Sequence, residues 1–145
     1  ARFRFDLIHA HTSFLDGYAA MQLGRYYGCP VVLTEHMGPF SVLTRNAGFR
    51  YFTGMAVHGA DRVLAVSRAL KQDMIAELGP YAERAEVLGN GFDPDVYAPA
   101  PHSEPSGTGA RMLWVGYVSA VKGADRLIVA TARAMANAPK ASRVR

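Results

Sequence analysis

The residues best suited to acid–base or metal chemistry fall in two short runs, Ile8-His9-Ala10-His11 and Thr34-Glu35-His36. His9 and His11 are two apart, so on an extended segment both side chains point to one face. Three histidines and a carboxylate at neighbouring strand ends could hold a metal, or could be hydrogen-bonded histidines lining a cleft without one. The spacing lacks the tight helical or loop pattern of zinc motifs, and the reading without metal is preferred. Asp16 and Glu35 offer a carboxylate pair, although a carboxylate at position 16 also suits the start of a helix. A second group lies far along the chain, where the apolar run Met112-Leu113-Trp114-Val115 is followed by Gly116, a short loop and Lys122-Gly123. A helix mouth offers unpaired N–H groups and the positive end of a dipole. Gly123 admits close approach to the backbone, and Lys122 adds a full charge. That arrangement suits a phosphate or diphosphate. Taken alone, an ordinary βα unit with a surface lysine explains the same residues.

A third stretch interleaves Phe40, Phe49, Tyr51 and Phe52 with Arg45 and Arg50. Arginines with aromatic rings can hold a sugar, a lipid phosphate or a membrane surface, and the plainer reading is an aromatic-packed helix with solvated arginines. Neither the Gly-x-Gly-x-x-Gly fingerprint nor the full Walker phosphate loop is present, which weakens hydride transfer and nucleotide hydrolysis as functions. The single cysteine, Cys29, excludes an internal disulfide and fits a reducing compartment; its place before Pro30 and an apolar run reads as a buried bystander.

These residues need elements to position them, and the apolar pattern supplies a parallel α/β arrangement. Strands are expected over Phe5–His11, Pro30–His36, Asp61–Val66 and Ala85–Gly89. The continuous apolar centre of the second predicts a sheet covered on both faces. Ser13 with Asp16 is a capping-box variant opening a first helix that Gly28 stops. Residues 37–45 read as a loop, and Asn46–Gly59 as a helix weakened by Gly48 and Gly54. Ser67 caps a helix whose stripe is Leu70, Met74 and Leu78, ended by Gly79-Pro80. Asn90-Gly91 is a turn. Pro99–Gly109 is a Pro/Ser/Gly-rich linker. Met112–Val115 reads as a strand, and 122–137 as a helix with Leu127, Ile128, Thr131 and Met135 on its apolar face. Pro139 and a basic tail follow. With 145 residues, half of them hydrophobic, the chain can bury a core. A net charge of +4 favours anionic ligands without the dense basic stripe of a nucleic-acid binder. No signal peptide or spanning segment is legible, and a cytoplasmic location is expected. The residues after the linker are too few for a domain of their own, so the chain reads as part of a longer protein.

In their order, five pieces resemble the family-four retaining glycosyltransferases of the GT-B fold. They are Asp6-Leu7-Ile8-His9-Ala10-His11; Pro30-Val31-Val32-Leu33-Thr34-Glu35-His36; Ala60-Asp61-Arg62-Val63-Leu64-Ala65-Val66-Ser67; Asn90-Gly91-Phe92-Asp93; and Val115-Gly116 with Lys122-Gly123-Ala124-Asp125. The resemblance implies two Rossmann-like domains facing each other across a cleft, the first taking an acceptor and the second a nucleotide-sugar. On this reading, residues 1–98 are the later part of the first domain, 99–110 the hinge, and 111–145 the first strand and helix of the second. By the family pattern, His11 matches the histidine beside the reacting sugar, and Lys122, with Gly116 and Gly123, matches the site of the donor diphosphate. His9, Glu35, His36, Arg50 and Asn90 are candidates for cleft or acceptor contacts. No cofactor and no essential metal are implied, the nucleotide-sugar being a substrate. The acceptor would be a sugar, a lipid-linked or a small molecule, with peripheral membrane contact open and no nucleic acid involved. Tyr117 departs from the pattern, since the family usually has arginine there and a tyrosine cannot supply a positive fork. The family's paired glutamates and its N-terminal glycine-rich loop are not in this sequence, so the chain alone is expected to be inactive. Two other classes stay open at this stage: a noncatalytic phosphate-binding module, and a metallohydrolase built on His9, His11 and His36.

Overall fold

The computed structural model describes residues 4–98 and 112–137. The predicted linker, Arg111, Pro139 and the basic tail lie outside the described residues. The chain separates into two compact units, one reaching to Pro94 and one starting at Asp95.

The first unit is a four-stranded, all-parallel sheet of β1 (Ile8–His11), β2 (Val31–Glu35), β3 (Arg62–Ala65) and β4 (Glu86–Val87), in that order across the sheet. Helices α1 (Leu15–Tyr27), α2 (Ala47–Gly59) and α3 (Arg68–Leu78) form the three crossovers. This is the predicted Rossmann-like α/β arrangement with flanking helices. Because every step across the sheet runs the same way, right-handed crossovers bring all three helices to one face. Burial agrees. Ala10, Val31, Leu33, Val63 and Ala65 join Ala20, Ala56, Val57, Leu70 and Met74 in one apolar cluster. The alternate residues His9, His11 and Arg62 are exposed, and Val32 and Leu64 half-buried. The expectation of a sheet covered on both faces is therefore corrected: among the described residues of this unit, one face carries the helices. The apolar run of β2 is accounted for by its position, paired on both edges, with Leu33 set against Ala10 and Val63.

Local signals explain most element ends. Gly28 closes α1 at φ 68°, a left-handed conformation that glycine adopts without strain. Asn46 and Ser67 cap α2 and α3, accepting from the backbone N–H of Phe49 and of Leu70. Gly17 lets α1 settle on its neighbours: a Cβ there would sit 3.0 Å from the Thr12 carbonyl oxygen and 3.0 Å from the Ala56 methyl. Four expectations need correction. The first strand starts at Ile8 rather than Phe5, and the fourth holds two residues. Residues 37–45 are not all irregular, since Phe40–Leu43 form a 3-10 turn whose Phe40 and Leu43 are buried. Ser13 does not cap α1; the N-cap residue is Phe14, with no side-chain hydrogen bond.

In the second unit, α4 (Ala124–Asn137) forms as expected, but Met112–Val115 is not a strand. A strand needs a partner, and none is present among the described residues of this unit. Leu113 and Val115 stand 88% and 84% exposed.

Candidate active site

The histidine runs end β1 and β2 at the carboxyl ends of the strands, where parallel α/β sheets bind ligands. His9 and His11 share a face of β1, and their rings lie 4.3 Å apart between centroids. His36, just past the end of β2, meets them there. His11 Nδ1 and His36 Nε2 are 2.9 Å apart in a hydrogen bond, with the two rings stacked at 5.1 Å. One nitrogen of that pair must donate and the other accept, so a single proton occupies the line between them. His9 Nε2 is bonded to the Thr34 hydroxyl at 2.8 Å. Desolvation, followed by the charges of His11 and His36, lowers the pKa of His9 below its ordinary value.

Glu35 has no exposed surface. Its Oε2 accepts from the Ser13 N–H at 2.7 Å and from the Ser13 hydroxyl in a short contact. Its Oε1 accepts from the N–H groups of His36 at 2.9 Å and Met37 at 2.8 Å. The chain reaches Ser13 through Thr12, which holds φ 82°, a conformation a β-branched residue rarely adopts. Asp16 accepts from the Thr12 hydroxyl at 3.3 Å, so the two carboxylates of the expected pair have separate partners. Among the described residues, no group of three or more His, Cys, Asp or Glu side chains is placed to hold a metal ion.

Arg50 and Asn90 are not brought to the histidines by any described contact. Arg50, on α2, pairs with Glu77 on α3 at 3.0 Å and also donates to the Glu77 carbonyl. It lines a groove of about 370 Å³ with Tyr51, His58 and Tyr81. Asn90 lies exposed in the segment after β4. The aromatic stretch divides. Phe40 is core, Phe49 packs on Phe14 at 4.2 Å under the Arg45 guanidinium, and Tyr51 is exposed.

In the second unit, the N–H groups of Lys122 and Gly123 both bond the Ser119 carbonyl, which makes a tight turn into α4. Gly123 has φ 69°, and its carbonyl accepts from the Leu127 N–H. The first N–H groups of α4 therefore open beside an exposed Lys122. The Trp114 indole N–H donates to the Lys122 carbonyl at 3.2 Å, and Gly116 lies against the same ring.

The family model described as Glycosyltransferase Family 4 matches residues 1–96, which include both histidine runs and the whole sheet. The chain belongs to glycosyltransferase family 4. Curated relatives extend the likeness past the matched region. A D-inositol 3-phosphate glycosyltransferase of Arthrobacter sp. is 30% identical over 144 residues, covering 89% of this chain and 34% of the relative. The alpha-maltose-1-phosphate synthase of Mycolicibacterium smegmatis is 28% identical over 146 residues, covering 88% of this chain and 37% of the relative. An uncharacterized glycosyltransferase of Methanocaldococcus jannaschii is 30% identical over 91 residues, or 63% of this chain and 25% of the relative. The chain thus spans roughly a third of the relatives it matches along most of its length.

Sequence reasoning missed Ser13, Thr34 and Thr12 as site-building residues. Thr34 was findable only with the register, which sets it opposite His11 and diagonal to His9.

Proposed function

We propose that the full-length protein is a retaining glycosyltransferase that moves a hexosyl group from a nucleotide-diphosphate-sugar to an acceptor. The observation that carries this reading is the hydrogen-bonded His11–His36 pair at the carboxyl ends of a parallel sheet in a family-four chain. His11 lies beside the reacting sugar, where an imidazole can hold a hydroxyl or a proton. His36 fixes its ring, and His9 adds a polar contact on the acceptor side. Lys122, Gly116 and Gly123 take the donor diphosphate. As the glycosidic bond to the leaving diphosphate breaks, negative charge grows there, and a lysine at a helix mouth stabilises it. These roles need no cofactor and no metal. Two relatives carry a sugar or cyclitol phosphate in their names, so phosphorylated sugars and cyclitols are the acceptors to try first. The protein works in the cytoplasm, with Tyr51 and the Arg45 region available for peripheral membrane contact. Among the described residues no helix is long and apolar enough to cross a membrane.

A second reading, a noncatalytic nucleotide- or phosphate-binding protein, draws on Tyr117 at the position where the family usually has arginine. The deciding assay uses the full-length protein with UDP-, GDP- and ADP-sugars, with and without EDTA, beside His11→Ala and Lys122→Ala. Transfer that resists EDTA and collapses in both variants supports the transferase. Nucleotide binding without turnover from any donor supports the second reading.

A further inference from the structure

We infer that Glu35 is a positioning residue, a buried carboxylate that ties the loop after β1 to the loop after β2 and so holds His11 and His36 within hydrogen-bond reach. The inference rests on the reading above for its catalytic consequence, though not for its geometry. Alternation along β2 turns Glu35 to the helix-covered face, while His9 and His11 lie on the other face. The carboxylate has no exposed surface, and four donors already occupy its oxygens. It acts from behind the site rather than on a ligand.

Ladder pairing alone does not bring the two histidines together. The register sets His11 opposite Thr34, and β2 ends at Glu35, so His36 lies beyond the last ladder pair. What fixes the backbone at His36 is the Glu35 carboxylate, which takes the N–H groups of His36 and Met37 on one oxygen. What fixes the chain just after His11 is the same carboxylate, which takes the N–H and the hydroxyl of Ser13 on the other. Ser13 is itself fully buried, and the unusual backbone at Thr12 delivers it to that position. A charged acceptor with four donors is strong and directional, and if one oxygen became an amide –NH2 the two donors bound to that oxygen would face donors instead of an acceptor.

The test uses Glu35→Gln in the full-length protein. The imidazole nitrogen resonances, assigned with His36→Gln, report the His11–His36 hydrogen bond without any substrate. In Glu35→Gln that hydrogen-bond signature should be lost, and kcat should fall on the order of 10- to 100-fold, as expected for displaced catalytic groups. In a His36→Gln background, Glu35→Gln should cost much less than it does alone, because its route to the reaction is already cut. Ser13→Ala removes one donor of four and should weaken the same signature to a smaller degree. If Glu35→Gln does not fold, Ser13→Ala decides by that signature. An unchanged His11–His36 signature, or losses that multiply in the double variant, overturns the proposal. If no donor supports turnover in the unaltered protein, the transferase reading falls while the spectra still decide the role of Glu35.

Discussion

His9 shows what a single side chain contributes at this site. Its ring is anchored to Thr34 and crowded by His11 and His36, and Asp16 shares with it the lining of a shallow groove at β1. Desolvation and then the neighbouring imidazoles lower its pKa, so the folded protein holds a proton there less well than the unfolded chain does. An unfolded imidazole titrates at about 6.5. Above that value the stabilisation from a neutral His9 is complete. As pH falls through the lowered folded value, the unfolded chain gains the proton first and that stabilisation is lost. Urea midpoints measured between about pH 7.5 and pH 5 should fall on acidification, and His9→Gln should flatten the fall. An identical acid slope in the variant would show that His9 is not the group responsible. At the same scale, Ser13 was misread in the sequence for a physical reason. A serine three residues before an aspartate fits a helix cap, but a buried carboxylate is the stronger acceptor and took the side chain instead.

At the scale of elements, the sequence was informative wherever the signal was local. The αL glycine at 28 and the cap at Ser67 are read directly from residue type, and each ends or starts its helix where expected, while the cap at Asn46 is a finding of the structure. Ser67→Ala should cost about 1 kcal/mol in chemical denaturation, the usual value of an N-cap. Gly17 is different, because its reason lies in packing. Alanine there gains about 1 kcal/mol of helix propensity, yet its methyl would press on the Thr12 carbonyl, Ala56 and a Leu33 methyl at 3.0–3.1 Å. Overpacking of this kind costs about 1–3 kcal/mol, so Gly17→Ala should lower stability and, by pushing on Thr12, disturb the His11 loop. Equal or higher stability would show that α1 shifts freely. Met112–Val115 failed as a strand because composition states a preference while a ladder requires a neighbour.

For the whole molecule, the two candidate groups belong to two compact units, and each makes its own prediction. On the proposed function, Lys122→Ala in the full-length protein should raise the donor KM, and His11→Ala should act chiefly on kcat. Gly123→Ala forces a side chain into φ 69° and should weaken donor binding although it removes no charge. Steady-state kinetics with a saturating acceptor separates these effects, and a Gly123→Ala enzyme with unchanged donor KM would count against a backbone role for that loop.

The sequence by itself determined the parallel α/β class, the helices with the Gly28 stop and the Ser67 cap, and the two motif groups, because apolar period and capping chemistry are local. It also carried enough of the family-four motif order for the family to be named from five short pieces. Only the tertiary structure decided the register that sets His11 opposite Thr34, the contact of His11 with His36, and the burial of Glu35 beneath them. Those depend on how β1 and β2 align and on which face each side chain takes. A shift of one residue would reverse every face, and residue types alone do not fix the alignment.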